Sequence, residues 1–119
     1  MRFALLCYNS EAMIGCLSKS AEEAMMARLR LAEDRIRERA RIVSSLCLMP
    51  TTTATYIKAG ERPIVLDGPY NKTGEQLLGM WIVDCDRLGD AIEAGQELAR
   101  EPGLGVIEIR PLRASDGGD

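Results

Sequence analysis

A chain of 119 residues, 46% apolar and 28% charged, is long enough to bury one hydrophobic core and too short for two. Its net charge of −3 argues against a nucleic-acid surface, which carries an excess of Lys and Arg. No segment reaches the roughly 20 apolar residues of a membrane span, and the apolar opening run is too short for a secretory signal core with a cleavage site, so the chain reads as cytoplasmic.

Residues 2–8 form a strand that is apolar on both faces, with Phe3, Leu5 and Cys7 on one and Ala4, Leu6 and Tyr8 on the other. A loop with Asn9 and Ser10 follows. The first long helix is expected to start at Ser20, with Glu23 closing a capping box worth about 1 kcal/mol. Ala21, Met25, Leu29, Ala32, Ile36 and Ala40 then recur every three or four residues as one core-facing stripe. The arginines on the other faces are interleaved with acids, the pattern of a solvated surface and not of an RNA site.

Residues 42–49 are extended up to Pro50. A β-branched strand over residues 54–58 turns through Ala59-Gly60-Glu61-Arg62 into a partner strand, residues 63–66. A further strand covers residues 79–85. The second helix spans residues 87–100, with Leu88, Ala91, Ile92, Gly95, Leu98 and Ala99 as its apolar stripe, and Pro102-Gly103 end it. A last strand, residues 105–111, completes a domain of residues 1–112, and residues 113–119 read as a disordered tail.

The order strand, helix, strand, hairpin, strand, helix, strand predicts an α+β fold: a ferredoxin-like βαβ repeat with an added β-hairpin. Two helices cover one face of such a sheet. The strands at residues 2–8 and 79–85 are apolar on both, so the far face calls for a cover, and a second copy of the chain is the simplest one.

The four cysteines, Cys7, Cys16, Cys47 and Cys85, include no closely spaced pair, and the chain has no histidine. That pattern offers no metal site and no cofactor ligand set. Without histidine, Ser-His-Asp and Cys-His devices are excluded, and proton transfer near neutral pH falls to carboxylates, tyrosines, lysines or thiols with shifted pKa values.

Between residues 66 and 80 runs Asp67-Gly68-Pro69-Tyr70-Asn71-Lys72-Thr73-Gly74-Glu75-Gln76-Leu77-Leu78-Gly79. Glycine and proline restrict the backbone here and set Asp67 at a strand end before a shaped turn. The stretch resembles the signature of the YCII-related (DGPF) family. The opening strand at residues 1–8, the Asp84-Cys85-Asp86 entry to the second helix and the closing Val106-Ile107-Glu108-Ile109-Arg110-Pro111-Leu112 resemble that family as well. The resemblance implies a dimeric α+β barrel in which two sheets pack face to face. Two departures stand out: Tyr70 replaces the signature phenylalanine, and nothing here matches the histidine of the histidine–aspartate pair proposed for acid–base chemistry in some relatives.

Asp67 is the candidate acid or base, although the same carboxylate suits an Asx-type turn past Gly68-Pro69. Tyr70 is its candidate hydrogen-bonding partner. Tyr8 and Trp81 are candidate ligand contacts, as are Lys72, set with Glu75 on an expected helical turn, and Arg110, able to hold a carboxylate bidentately. Three readings follow. One is a homodimeric binding or accessory module, or degenerate enzyme, with a small-molecule pocket near the Asp67-Gly68-Pro69-Tyr70 loop. The next is a cofactor-free enzyme performing proton transfer, isomerisation or elimination on a small carboxylated or aromatic metabolite, with Asp67 as base. The last, implied by relatives linked to sigma-type transcription factors, is a protein-interacting dimer.

Overall fold

The structure, a computed structural model, describes residues 1–114; the expected tail lies outside the described residues from Ser115 onward. Six strands and three α-helices run in the order β1 (Arg2–Asn9), α1 (Glu11–Gly15), α2 (Lys19–Ile36), β2 (Arg41–Cys47), β3 (Thr55–Lys58), β4 (Ile64–Asp67), β5 (Gln76–Asp84), α3 (Leu88–Ala99) and β6 (Val106–Pro111), with short 3₁₀ turns at Thr51–Thr53 and Pro102–Leu104. Four strands form one antiparallel sheet in the order β2-β5-β1-β6, and β3 and β4 pair separately as a hairpin. This is the expected ferredoxin-like α+β arrangement. The short α1, where a loop was expected, is an addition. No helix among the described residues is long and apolar enough to cross a membrane.

The register sorts the two-sided apolar strands. Phe3 lies opposite Val83 and Leu5 opposite Trp81. All four are buried in one core with Met25, Leu29, Ala32 and Ile36 of α2 and Ala91, Ala94 and Leu98 of α3. Both long helices therefore cover one face. On the other, Ala4 faces Ile82 and Leu6 faces Met80, while Leu46 of β2 and Val106 of β6 remain 52% and 53% exposed. The molecule measures 47 × 44 × 18 Å, and its thin dimension matches one helix layer on one sheet.

Several local expectations differ from the structure: α2 ends at Ile36, so Ala40 of the expected stripe lies in the turn beyond it, and β5 begins at Gln76 where residue 79 was expected. The residue that caps α2 is Ser18, with extended backbone angles and an Oγ that accepts from the Ala21 amide at 3.1 Å; Ser20 lies inside the first turn. On α3 the buried stripe is Ala91, Ala94, Gly95 and Leu98, while Leu88 and Ile92 are exposed and so is Ala99. A Cβ on Gly95 would stand 3.1 Å from Ile109 Cδ1, so α3 lies on β6 through its small residues. The turn after α3 is latched to α2: Arg28 donates to buried Glu101 through Nε at 2.6 Å and Nη2 at 3.1 Å.

Candidate functional site

The loop after β4 is shaped by a close approach. Asp67 pairs with Thr55 at the end of the hairpin, and the Gly68 amide donates to the Ala54 carbonyl at 2.8 Å. A Cβ on Gly68 would stand 3.1 Å from Ala54 Cβ and 3.3 Å from its carbonyl oxygen, which accounts for glycine here. The Gly68–Pro69 peptide is cis. Tyr70 follows, 74% exposed, with its ring edge-on to Tyr56 at 5.5 Å between centroids. Tyr56 escaped sequence reasoning because a strand tyrosine reads as ordinary β-propensity. Its only signal was its place on the strand that pairs with the signature loop.

The Asp67 carboxylate is exposed and makes no side-chain hydrogen bond or ion pair among the described residues. The Asx role falls on Asn71, whose Oδ1 accepts from the Thr73 amide at 3.2 Å. Gln76 Nε2 donates to the Asn71 and Thr73 carbonyls at 2.6 and 3.0 Å, and the Thr73 hydroxyl donates to the Glu75 carbonyl at 2.7 Å. Asn71, Thr73 and Gln76 therefore hold the loop, leaving Asp67 free of that duty. Lys72 is exposed, and the segment around it is a bend and not the expected helical turn.

The other candidates separate. Trp81 is buried on the helix side, where its indole N–H donates to Glu33 Oε2 at 2.9 Å; the opposite face, with Tyr8, is out of its reach. Tyr8 is half-buried on the open face, opposite Val106. Arg110 shares that face but sits opposite Ala4, four residues along the strand and so roughly 13 Å from Tyr8. One chain thus brings Tyr70 to Tyr56, sets Asp67 on the opposite face of the hairpin, with Thr55, keeps Tyr8 and Arg110 on the open sheet face, and turns Trp81 to the core. A cleft of about 580 Å³ lies elsewhere, between the α2–β2 turn and the end of β5, and includes none of these candidates.

Electrostatics narrows the chemistry further. Burial, with Cys47 adding to it, pushes the Cys7 thiol up to about 11, and that thiol donates to the Leu104 carbonyl at 3.1 Å. Burial likewise raises Cys85, with Asp90 adding to it. Both are poor thiolate sources. Among the described residues no three Cys, Asp or Glu side chains converge as a metal site. Glu11 accepts from the hydroxyl and the amide of Thr51, which holds its carboxyl below the usual range and ties α1 to the segment leading into β3.

Two comparisons bear on identity. The model of the YCII-related domain matches residues 1–114. An uncharacterised protein of Rhizobium meliloti (strain 1021) is 37% identical over 115 residues, covering 94% of this chain and 92% of the relative. The similarity runs through the sheet, both long helices and the Asp67-Gly68-Pro69-Tyr70 loop together, and on that evidence the chain belongs to the YCII-related domain family.

Proposed function

We propose that the chain acts as a homodimeric binding or accessory module, taking a small carboxylated or aromatic metabolite in a pocket beside the Asp67-Gly68-Pro69-Tyr70 loop that the second copy completes. The hairpin carries this reading. An isolated two-stranded hairpin is marginally stable in water, yet β3–β4 exposes Ile57, Ile64 and Val65 at 64%, 55% and 66% and shares no ladder with the main sheet. Apolar groups on both faces of this separate arm, together with a sheet face that neither long helix covers, are what a partner's surface would bury. Tyr70 and Tyr56 would supply an aromatic wall, and Asp67, at the hairpin's end on the opposite face, would supply a carboxylate with no competing partner at the pocket's edge.

That same free carboxylate favours a second reading: a cofactor-free enzyme in which Asp67 abstracts a proton and the Tyr70 hydroxyl hydrogen-bonds the substrate. Closure against a second copy would then have to desolvate Asp67 enough for it to serve as a base. The test is sedimentation equilibrium of the purified chain, followed by a thermal-shift screen of small carboxylates and aromatics on wild type, Asp67→Asn and Tyr70→Phe. A dimer whose ligand-induced stabilisation disappears in both variants supports the pocket. Conversion of the ligand by wild type but not by Asp67→Asn selects the enzyme. A monomer at tens of micromolar, or ligand shifts unaltered by both variants, sinks the proposal.

A further inference from the structure

The cleft away from the loop has its own chemistry. Arg37, the C-cap of α2, Arg39 in the following turn and Arg41, the first residue of β2, all line it. Its volume of about 580 Å³ is within the range of small-molecule sites, roughly 300–1,000 Å³. The segment is anchored, since the Arg39 and Ala40 amides both donate to the Ile36 carbonyl at 3.0 Å. Ala40 and Ile42, which also line the cleft, pack against the hydrophobic core.

Each guanidinium is only partly engaged. Arg37 meets Asp34 through Nη1 at 3.2 Å, Arg39 meets Glu93 through Nη1 at 2.6 Å, and Arg41 meets Asp84 through Nη2 at 3.3 Å. A guanidinium carries five N–H donors, so others remain for a ligand on each. Asp34 and Glu93 are 70% and 52% exposed, and water-screened pairs of that kind exchange readily for a better acceptor. Two carboxylates line the cleft, Asp84 and Asp86, and Asp84 already faces Arg41 at 3.3 Å and Arg2 at 3.9 Å. The lining is therefore positive on balance.

We propose that this cleft binds the phosphate monoester group of a small metabolite, held by Arg37, Arg39 and Arg41 with its organic body against Ala40 and Ile42. Planar guanidinium forks match phosphate oxygens bidentately, and three of them suit a dianion better than a single carboxylate. The cleft sits in the row of Arg2, Asp84 and Arg41, whereas the signature loop enters β5 at Gln76. Eight steps of strand, roughly 27 Å, separate the two, so this site stands or falls independently of the Asp67 pocket.

The test is calorimetric titration of the full chain with butyl phosphate, with butyl sulfate as the monoanionic comparison; neither is aromatic or carboxylated. One saturable site per chain is expected, weakened at least about tenfold in the double variant Arg37→Gln/Arg39→Gln and unchanged in Arg30→Gln, an exposed arginine of α2 that does not line the cleft. Both arginines are more than half exposed, at 53% and 60%, so the double variant should keep the wild-type unfolding midpoint, a control measured alongside. No saturable binding of butyl phosphate overturns the proposal, and so does binding that survives the double substitution. Butyl sulfate binding as tightly as butyl phosphate overturns the assignment to a phosphate.

Discussion

If the β3–β4 arm is buried by a second copy, replacing Val65 with aspartate should dissociate the dimer without unfolding the chain. Val65 lies directly opposite Ile57 in the hairpin, and the two are 66% and 64% exposed. Full burial of such a side chain is worth about 1.5–3 kcal/mol. With two thirds of Val65 still in water, burial in a dimer adds about 1–2 kcal/mol per copy. A two-fold interface counts the change twice, about 2–4 kcal/mol, and the buried carboxylate adds its desolvation cost. Val65→Asp should therefore weaken the dimer by at least about 30-fold. Within one chain the substitution touches only an exposed hairpin position, so the fold should lose no more than about 1 kcal/mol. Sedimentation velocity over a concentration series reads the dissociation constant, and urea unfolding of the dilute protein checks the fold. A folded Val65→Asp that dimerises like wild type would refute the reasoning, because the arm would then lie outside the interface.

Two further predictions concern the scaffold of the site. A Cβ on Gly79 would stand 2.5 Å from the Leu46 carbonyl oxygen, so Gly79→Ala must push β2 off β5 and should cost about 1–3 kcal/mol in urea unfolding. A loss under about 0.5 kcal/mol would mean that the edge strand yields freely. Glu101 is held below the usual carboxylate range by its hydrogen bonds from Arg28, against an opposing push from burial. Its ionised form therefore stabilises the fold above the unfolded value of about 4.3, and this contribution fades as pH falls through the lowered folded value. Glu101→Gln should be less stable than wild type at pH about 7 and converge with it at the acid end of the folded range; an equal gap at both ends would contradict the latch.

Most of the architecture was legible in the chain because it is written in local periods. Unbroken apolar runs in residues 2–8 and 79–85 marked two-sided strands, three- and four-residue spacing marked the long helices, and Gly60 with the flanking β-branched runs marked the hairpin. What escaped was each choice between local solutions of similar quality. Ser18 and Ser20 are both plausible caps, and only the path of the chain from α1 into α2 gives Ser18 the extended angles that a cap needs. Ranking by hydrophobicity put Leu88 and Ile92 on the buried side of α3; packing against Ile109 rewards the small Ala91, Ala94 and Gly95 instead, because close approach of helix to sheet leaves no room for bulk.

The candidate site divides along the same line. That a shaped loop follows Asp67 was legible from the restricted backbones of Gly68 and Pro69, although the loop is shorter than expected, since β5 begins at Gln76. That Asn71 and not Asp67 bonds the turn, that Tyr56 meets Tyr70, and that Trp81 faces Glu33 depend on which face and which strand each side chain joins. The sequence by itself determined the elements, their order and the family, because propensity and periodicity act over a few residues. Only the tertiary structure decided which residues share a surface, because strand register and helix rotation are set by packing between segments far apart in the chain.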